Sequence, residues 1–170
     1  MILLDSNVIV YALNNSSPTH AKSQEFIREN VKNLCLSHQN ILESIRVLTH
    51  PKFSSPMSPR KANEAVWEIA GALKLITPNQ EALFLVRELI NKYNLKGNKI
   101  FDAYLVATAM ANEIFSIATD NIKDIQVFEE INPVNPFPKV WTFLTKFERI
   151  SKVAAADRTQ PPHYLKARPS

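Results

Sequence analysis

A chain of 170 residues, 45% hydrophobic and with a single cysteine, suits one globular domain with its own core and excludes an internal disulfide framework. Its uninterrupted apolar runs fall far short of the roughly 20 residues needed to span a bilayer. Met1 leads straight into Ile2-Leu3-Leu4 with no basic leader, so a cytoplasmic protein without membrane association is expected. The formal charge of +4 sits mostly at the end, where Lys152, Arg158, Lys166 and Arg168 face only Asp157, so the high pI says little about nucleic-acid binding.

In chain order, Ile2-Leu3-Leu4 reads as a short strand ending at Asp5-Ser6-Asn7, a turn or helix cap, with a helical start from Val8. From His20, the residues Ala21, Gln24, Phe26, Ile27, Asn30 and Val31 suit one face of a helix, and Leu34-Cys35-Leu36-Ser37 reads as a second strand. Ile41, Leu42, Ile45 and Leu48 recur at helical spacing up to His50-Pro51, which places Glu43 and Arg46 on one helix. Prolines 51, 56 and 59 mark a loop, and Ser58-Pro59 fits a cap followed by proline in the first helical turn. The helix to about residue 73 turns Val66, Ile69, Ala70 and Leu73 inward. Residues 73–76 read as a third strand, and Thr77-Pro78-Asn79 opens a helix to about Tyr93 with Leu83, Phe84, Leu89 and Ile90 inward. After a turn at Lys96-Gly97-Asn98-Lys99, residues 100–113 are apolar on nearly every face, the pattern of a buried central helix. Residues 114–118 give a fourth strand ending at Thr119-Asp120-Asn121. Beyond Pro138 only KVWTFL resembles a further element, and residues 146–170 have the composition of a mobile basic tail.

Strands alternating with helices predict an α/β domain with a central parallel sheet flanked by helices, whose sites lie at the carboxyl ends of the strands. Asp5 and Asp120 both follow such strands, and helices beginning nearby bring Glu43 and Asp102 towards them. Acids in such apolar contexts cost several kcal/mol unless protonated, paired or bound to metal, and local cations are too few to match them. Oxygen ligands drawn from separate elements favour Mg²⁺ or Mn²⁺, and with it phosphate chemistry. The four histidines show no metal-ligand spacing.

ILLDSNVIVYAL at 2–13, NILESIRVLTHPKF at 40–53, FDAYLVATAM at 101–110 and TDNIKDIQVF at 119–128 resemble, in that order, the characteristic segments of PIN-domain nucleases, and specifically the VapC toxins of bacterial toxin–antitoxin pairs. The resemblance covers roughly residues 1–145. It implies a PIN-like α/β/α domain, Mg²⁺- or Mn²⁺-dependent endoribonuclease activity, a homodimer, an RNA substrate and inhibition by a small cognate antitoxin. By position, Asp5, Glu43 and Asp102 match the first three acids. The fourth is Asp120 or Asp124, with Asp120 following its strand more closely and Asn121 in the polar position; Ile125 stands where a Phe is usual. On this reading Asp5 and Asp102 are the principal metal ligands, and Glu43 and Asp120 hold water or a second ion. Ser6, Asn7 and Thr119 orient the acids, and Arg46 positions Glu43 or contacts the scissile phosphate.

The plainer readings are that Asp5 caps a helix, that Glu43 pairs with Arg46, and that Asp120 and Asp124 are turn residues. Lys52, Arg60, Lys61, Lys92, Lys96 and Lys99 are candidates for backbone contacts to RNA. Tyr104 and Trp67 suit the core or a dimer surface, and Phe53 and Met57 an exposed anchor for an antitoxin. A nuclease acting on DNA and a nucleic-acid-binding PIN-like module without catalysis stand as alternatives. A phosphatase with an aspartyl nucleophile needs a second acid two positions on, where this chain has Asn7.

Overall fold

The structure is a computed structural model that describes residues 1–137; KVWTFL and the basic tail lie outside the described residues. Five strands form one parallel sheet: β1 (Ile2–Leu4), β2 (Leu34–Ser37), β3 (Lys74–Ile76), β4 (Ser116–Ala118) and β5 (Asn132–Val134), in the order β3-β2-β1-β4-β5. Around it stand α1 (Ser6–Leu13), α2 (His20–Asn30), α3 (His38–Leu48), α4 (Pro59–Gly71), α5 (Gln80–Tyr93), α6 (Lys99–Met110) and the short α7 (Ile122–Ile125). The expected α/β architecture with a central parallel sheet is the one observed.

Alternation along the strands divides the core in two. Leu3, Cys35 and Ile117 pack with α5, α6 and α7, through Leu89, Ala103, Ala107 and Ile125. Leu4, Leu34, Leu36 and Ala118 turn to the other face, against Val8 and Ile9 of α1, Ile41 and Leu48 of α3 and Val66 of α4. Strands buried on both faces explain why ILL and LCLS read as short continuous apolar runs.

The chain moves from β1 outward to β2 and β3, then returns to the other side of β1 as β4 and β5. The order therefore reverses between β1 and β4, where a parallel sheet opens a crevice at its carboxyl edge. The backbone N–H of Asp5 donates to the Ala118 carbonyl at 2.9 Å, and that of Thr119 donates to the Val134 carbonyl at 3.0 Å. Both ladders thus continue one residue past the strands and hold Asp5 and Thr119 side by side in that crevice.

Several local expectations need correction. Leu83 and Phe84 are 62% and 60% exposed; Leu89 and Ile90 face inward as expected, joined by Ala82, Leu85 and Val86. The face of α5 that packs against α6 carries Leu85, Val86, Leu89 and Ile90, which leaves Leu83 and Phe84 on the opposite side. On α2 the buried face is Ser23 with the half-buried Phe26 and Ile27, while Ala21 and Gln24 are exposed. Within α6, burial is nearly continuous from Ala103 to Ala109, but Ile100 and Phe101 at its start are open to solvent. The edge strand β5 carries Pro133 at its centre, an edge position where a missing N–H is tolerated, and the sequence reading did not include it.

Candidate active site

Asp5 is the N-cap of α1, with extended backbone angles (φ −75°, ψ 152°) that let its side chain fold over the first turn. Oδ1 accepts from the Ser6 backbone N–H at 2.6 Å and lies 3.2 Å from the Ser6 hydroxyl; Oδ2 accepts from Asn7 Nδ2 at 2.8 Å and from Thr119 Oγ1 at 2.7 Å. The buried Thr119 hydroxyl is fully used: it donates to Asp5 and accepts from Asn7 Nδ2 and the Asn121 N–H. Asn7 completes the brace by accepting from the Asp120 N–H through Oδ1. The capping reading of Asp5 therefore holds, and the same geometry fixes its carboxylate at the crevice between β1 and β4.

The Ser6 hydroxyl has one proton and two carboxylate acceptors, Asp5 Oδ1 and Glu43 Oε2, the latter at 3.1 Å. It ties two acids 38 positions apart in the chain. Glu43 is on α3, which starts with a capping box between Ser37 and Asn40. Its Oε1 accepts from Gln39 Nε2 at 3.0 Å, and the same amide donates to the Phe101 carbonyl at 3.0 Å, joining α3 to the first turn of α6. Gln39 was absent from the sequence reading. Its signal was the i, i+4 spacing to Glu43, which places the two side chains on one helical face. Among the described residues Arg46 forms no ion pair with Glu43, so Gln39 takes the positioning part expected of Arg46.

Asp102 lies in the first turn of α6, after Gly97 turns the chain at φ +59°. Burial chiefly, then the charges of Asp124, Asp5 and Glu43, push its carboxyl up to about 6, against the opposing pull of Lys99. Burial also raises Asp5, with Glu43 adding to it, although the Thr119 and Ser6 hydrogen bonds work the other way. Three acids from separate elements therefore share one electrostatic neighbourhood. The ion pairs among the described residues, Arg60 with Glu64 and Lys92 with Glu129 and Glu130, include none of them.

The two candidates for the fourth acid occupy different places. Asp120 is exposed and accepts from the Tyr11 hydroxyl at 3.2 Å, on the α1 side of the crevice. Asp124 is half-buried on α7, accepts from Asn121 Nδ2, and is the first of the charges that raise Asp102.

Among the described residues no three His, Cys, Asp or Glu side chains are drawn together as a ready-made ligand shell. The donor chemistry nevertheless fits a hard divalent cation: neighbouring carboxylates with no ion-pair partner among the described residues, and hydroxyl and amide groups beside them. Mg²⁺ needs only one or two carboxylates and keeps several waters.

A cleft of about 680 Å³ opens beside Glu43 and Asp102, between α3 and the start of α6, with Leu42, Arg46, Phe101 and Tyr104 among its walls. Of the other expected contacts, Lys92 is engaged by Glu129 and Glu130 and lies over the Tyr93 ring. Phe53 and Met57 are half-buried against the core rather than freely exposed, and line a separate cavity of about 550 Å³ with Leu13.

The PIN domain family model matches residues 2–129. A VapC ribonuclease of Mycobacterium bovis is 30% identical over 126 residues, which cover 71% of this chain and 86% of the relative. Among solved structures, a toxin–antitoxin complex from Klebsiella pneumoniae is similar with a TM-score of 0.60 at 16% identity, over 82% of this chain and 100% of that one. Mycobacterium tuberculosis VapC20, described as a sarcin–ricin loop cleaving toxin, is similar with a TM-score of 0.59 at 15% identity, over 78% of this chain and 100% of that one. With the family match running from the first strand through α7 and a relative at this identity, the chain belongs to the PIN-domain family and is similar within it to the VapC ribonucleases.

Proposed function

We propose that this protein is a divalent-metal-dependent endoribonuclease and the toxin of a toxin–antitoxin pair. The observation that carries the reading is the convergence of Asp5, Glu43 and Asp102 at the carboxyl edge of the sheet with no ion-pair partner among the described residues. Similarity to a VapC ribonuclease supports RNA as the substrate, and the likeness to a toxin–antitoxin complex supports a small antitoxin partner. The homodimer and the cytoplasmic location belong to the same proposal; no helix among the described residues is long and apolar enough to cross a membrane.

Asp5 and Asp102 hold the ion, Mg²⁺ or Mn²⁺. When bound, it supplies Lewis acidity and a water made nucleophilic near neutral pH. Ser6, Asn7 and Thr119 fix the Asp5 carboxylate before substrate arrives, so no reorganisation is left for the reaction itself. Glu43, held by Ser6 and Gln39, orients water at the crevice through its carboxylate oxygens. Asp124 takes the fourth position in this proposal, because its charge acts on Asp102 while Asp120 is bonded to Tyr11.

The test is cleavage of total RNA by purified protein freed of any antitoxin, with Mg²⁺, Mn²⁺ or EDTA, beside an Asp5→Asn variant. Asn retains one oxygen to cap the Ser6 N–H, and thermal melting checks that the variant is folded. Cleavage lost in EDTA and in the variant is the expected result. Unchanged cleavage in either, or none from the folded wild type, would remove the proposal.

A further inference from the structure

Phe101 is 59% exposed and Leu42 67% exposed, although each is next in sequence to a carboxylate that the crevice half-buries: Asp102 and Glu43. Both apolar side chains and both acids line the same cleft, which is about 680 Å³, a volume typical of small-molecule sites. Neither apolar side chain is needed by the core, since neither belongs to the two clusters that cover the sheet.

We infer that this cleft is a base-stacking subsite: one unpaired nucleotide beside the scissile phosphate lays its base against Phe101 and Leu42. The inference rests on the ribonuclease reading above and specifies the form of RNA taken, an unstacked nucleotide from a single strand or a loop rather than a duplex. The chemistry of the walls selects this occupant. A nucleotide has a flat apolar face for the phenyl ring and carries its own phosphate, which matches the exposed guanidinium of Arg46 on the same wall. Tyr104, half-buried about one helical turn after Phe101, also lines the cleft and adds a second aromatic surface.

The anchoring of Phe101 supports the assignment. Gln39 Nε2 donates to both the Phe101 carbonyl and Glu43 Oε1, so the backbone that carries Phe101 and the Glu43 carboxylate are tied by one amide. A base stacked there is positioned relative to the acids by the protein's own hydrogen bonds rather than by a mobile loop.

Base–aromatic stacking is worth about 1–3 kcal/mol, which corresponds to roughly a 5- to 150-fold effect. The experiment measures kcat/KM for wild type, Phe101→Ala, Phe101→Tyr and Leu42→Ala on short single-stranded RNAs carrying the mapped cut. A matched set replaces, one position at a time, the nucleotides flanking that cut with abasic residues. Thermal melting confirms that each variant is folded, as expected for exposed positions. The expected result is a loss of that size for Phe101→Ala, recovery in Phe101→Tyr, and one flanking position at which the abasic substrate slows wild type but slows Phe101→Ala no further. Duplex RNA of the same sequence should be cut poorly by all of them. Wild-type kcat/KM in Phe101→Ala, or a loss that is the same whichever base is missing, would overturn the subsite while leaving the ribonuclease reading intact. No metal-dependent cut by wild type would remove both.

Discussion

Asp102 is where the electrostatics of the site are most measurable. Its carboxyl titrates at about 6 in the fold, against 3.8 for an unperturbed aspartate, with burial as the main cause. Between those values the folded protein holds the proton and the unfolded chain does not. The group therefore costs stability progressively as pH rises through that window, and the cost is complete above it. In metal-free protein, Asp102→Asn should raise stability at pH 7 by on the order of 1 kcal/mol, a value discounted because the side chain is half exposed. Denaturant melts at pH 4 and pH 7 read this directly: wild type should lose its deficit at the lower pH, and the variant should show none from this site. Gln39 gives a second expectation at the same scale. Gln39→Ala leaves the Glu43 and Phe101 acceptors without their donor, and removing a hydrogen bond to a charged group should lower kcat by about tenfold with little change in the melting temperature.

Among the elements, α3 holds the most candidate site residues for its length, since its 11 residues include Gln39, Leu42, Glu43 and Arg46. Its start is set by Ser37, whose hydroxyl donates to Asn40 Oδ1 at 2.6 Å and accepts from the Asn40 N–H at 3.3 Å, all of it buried. Ser37→Ala should cost about 1–2 kcal/mol by urea unfolding with an unchanged slope, because a cap is lost and Asn40 is left poorly satisfied. The apolar runs of β1 and β2 and the cap at Ser58-Pro59 were legible in the sequence because they depend on local chemistry. The inward face of α5 was not fully legible, since packing against α6 decides which of its apolar residues turn in, and no periodicity in α5 records that. Strand β5 was hidden by Pro133, which argues against a strand unless its edge position is already known.

Across the whole molecule, the reversal of strand order between β1 and β4 brings residues over 110 positions apart, Asp5 and Thr119, within 2.7 Å, and turns scattered acids into one charged crevice. Asp5, Glu43 and Asp102 could be proposed from the sequence because each lies in a recognisable context. The fourth acid could not be settled, because Asp120 and Asp124 sit four residues apart around a short helix whose orientation only packing against α6 decides. Asp124→Asn should accordingly reduce RNA cleavage more than Asp120→Asn, and equal effects would return the assignment to an open choice. The proposed divalent-cation site at Asp5 and Asp102 is read by titration of Mn²⁺ against the protein, with free Mn²⁺ followed by electron paramagnetic resonance. Saturable binding by wild type that weakens at least tenfold in Asp5→Asn and in Asp102→Asn is the predicted result; the same affinity in all three folded proteins would contradict it.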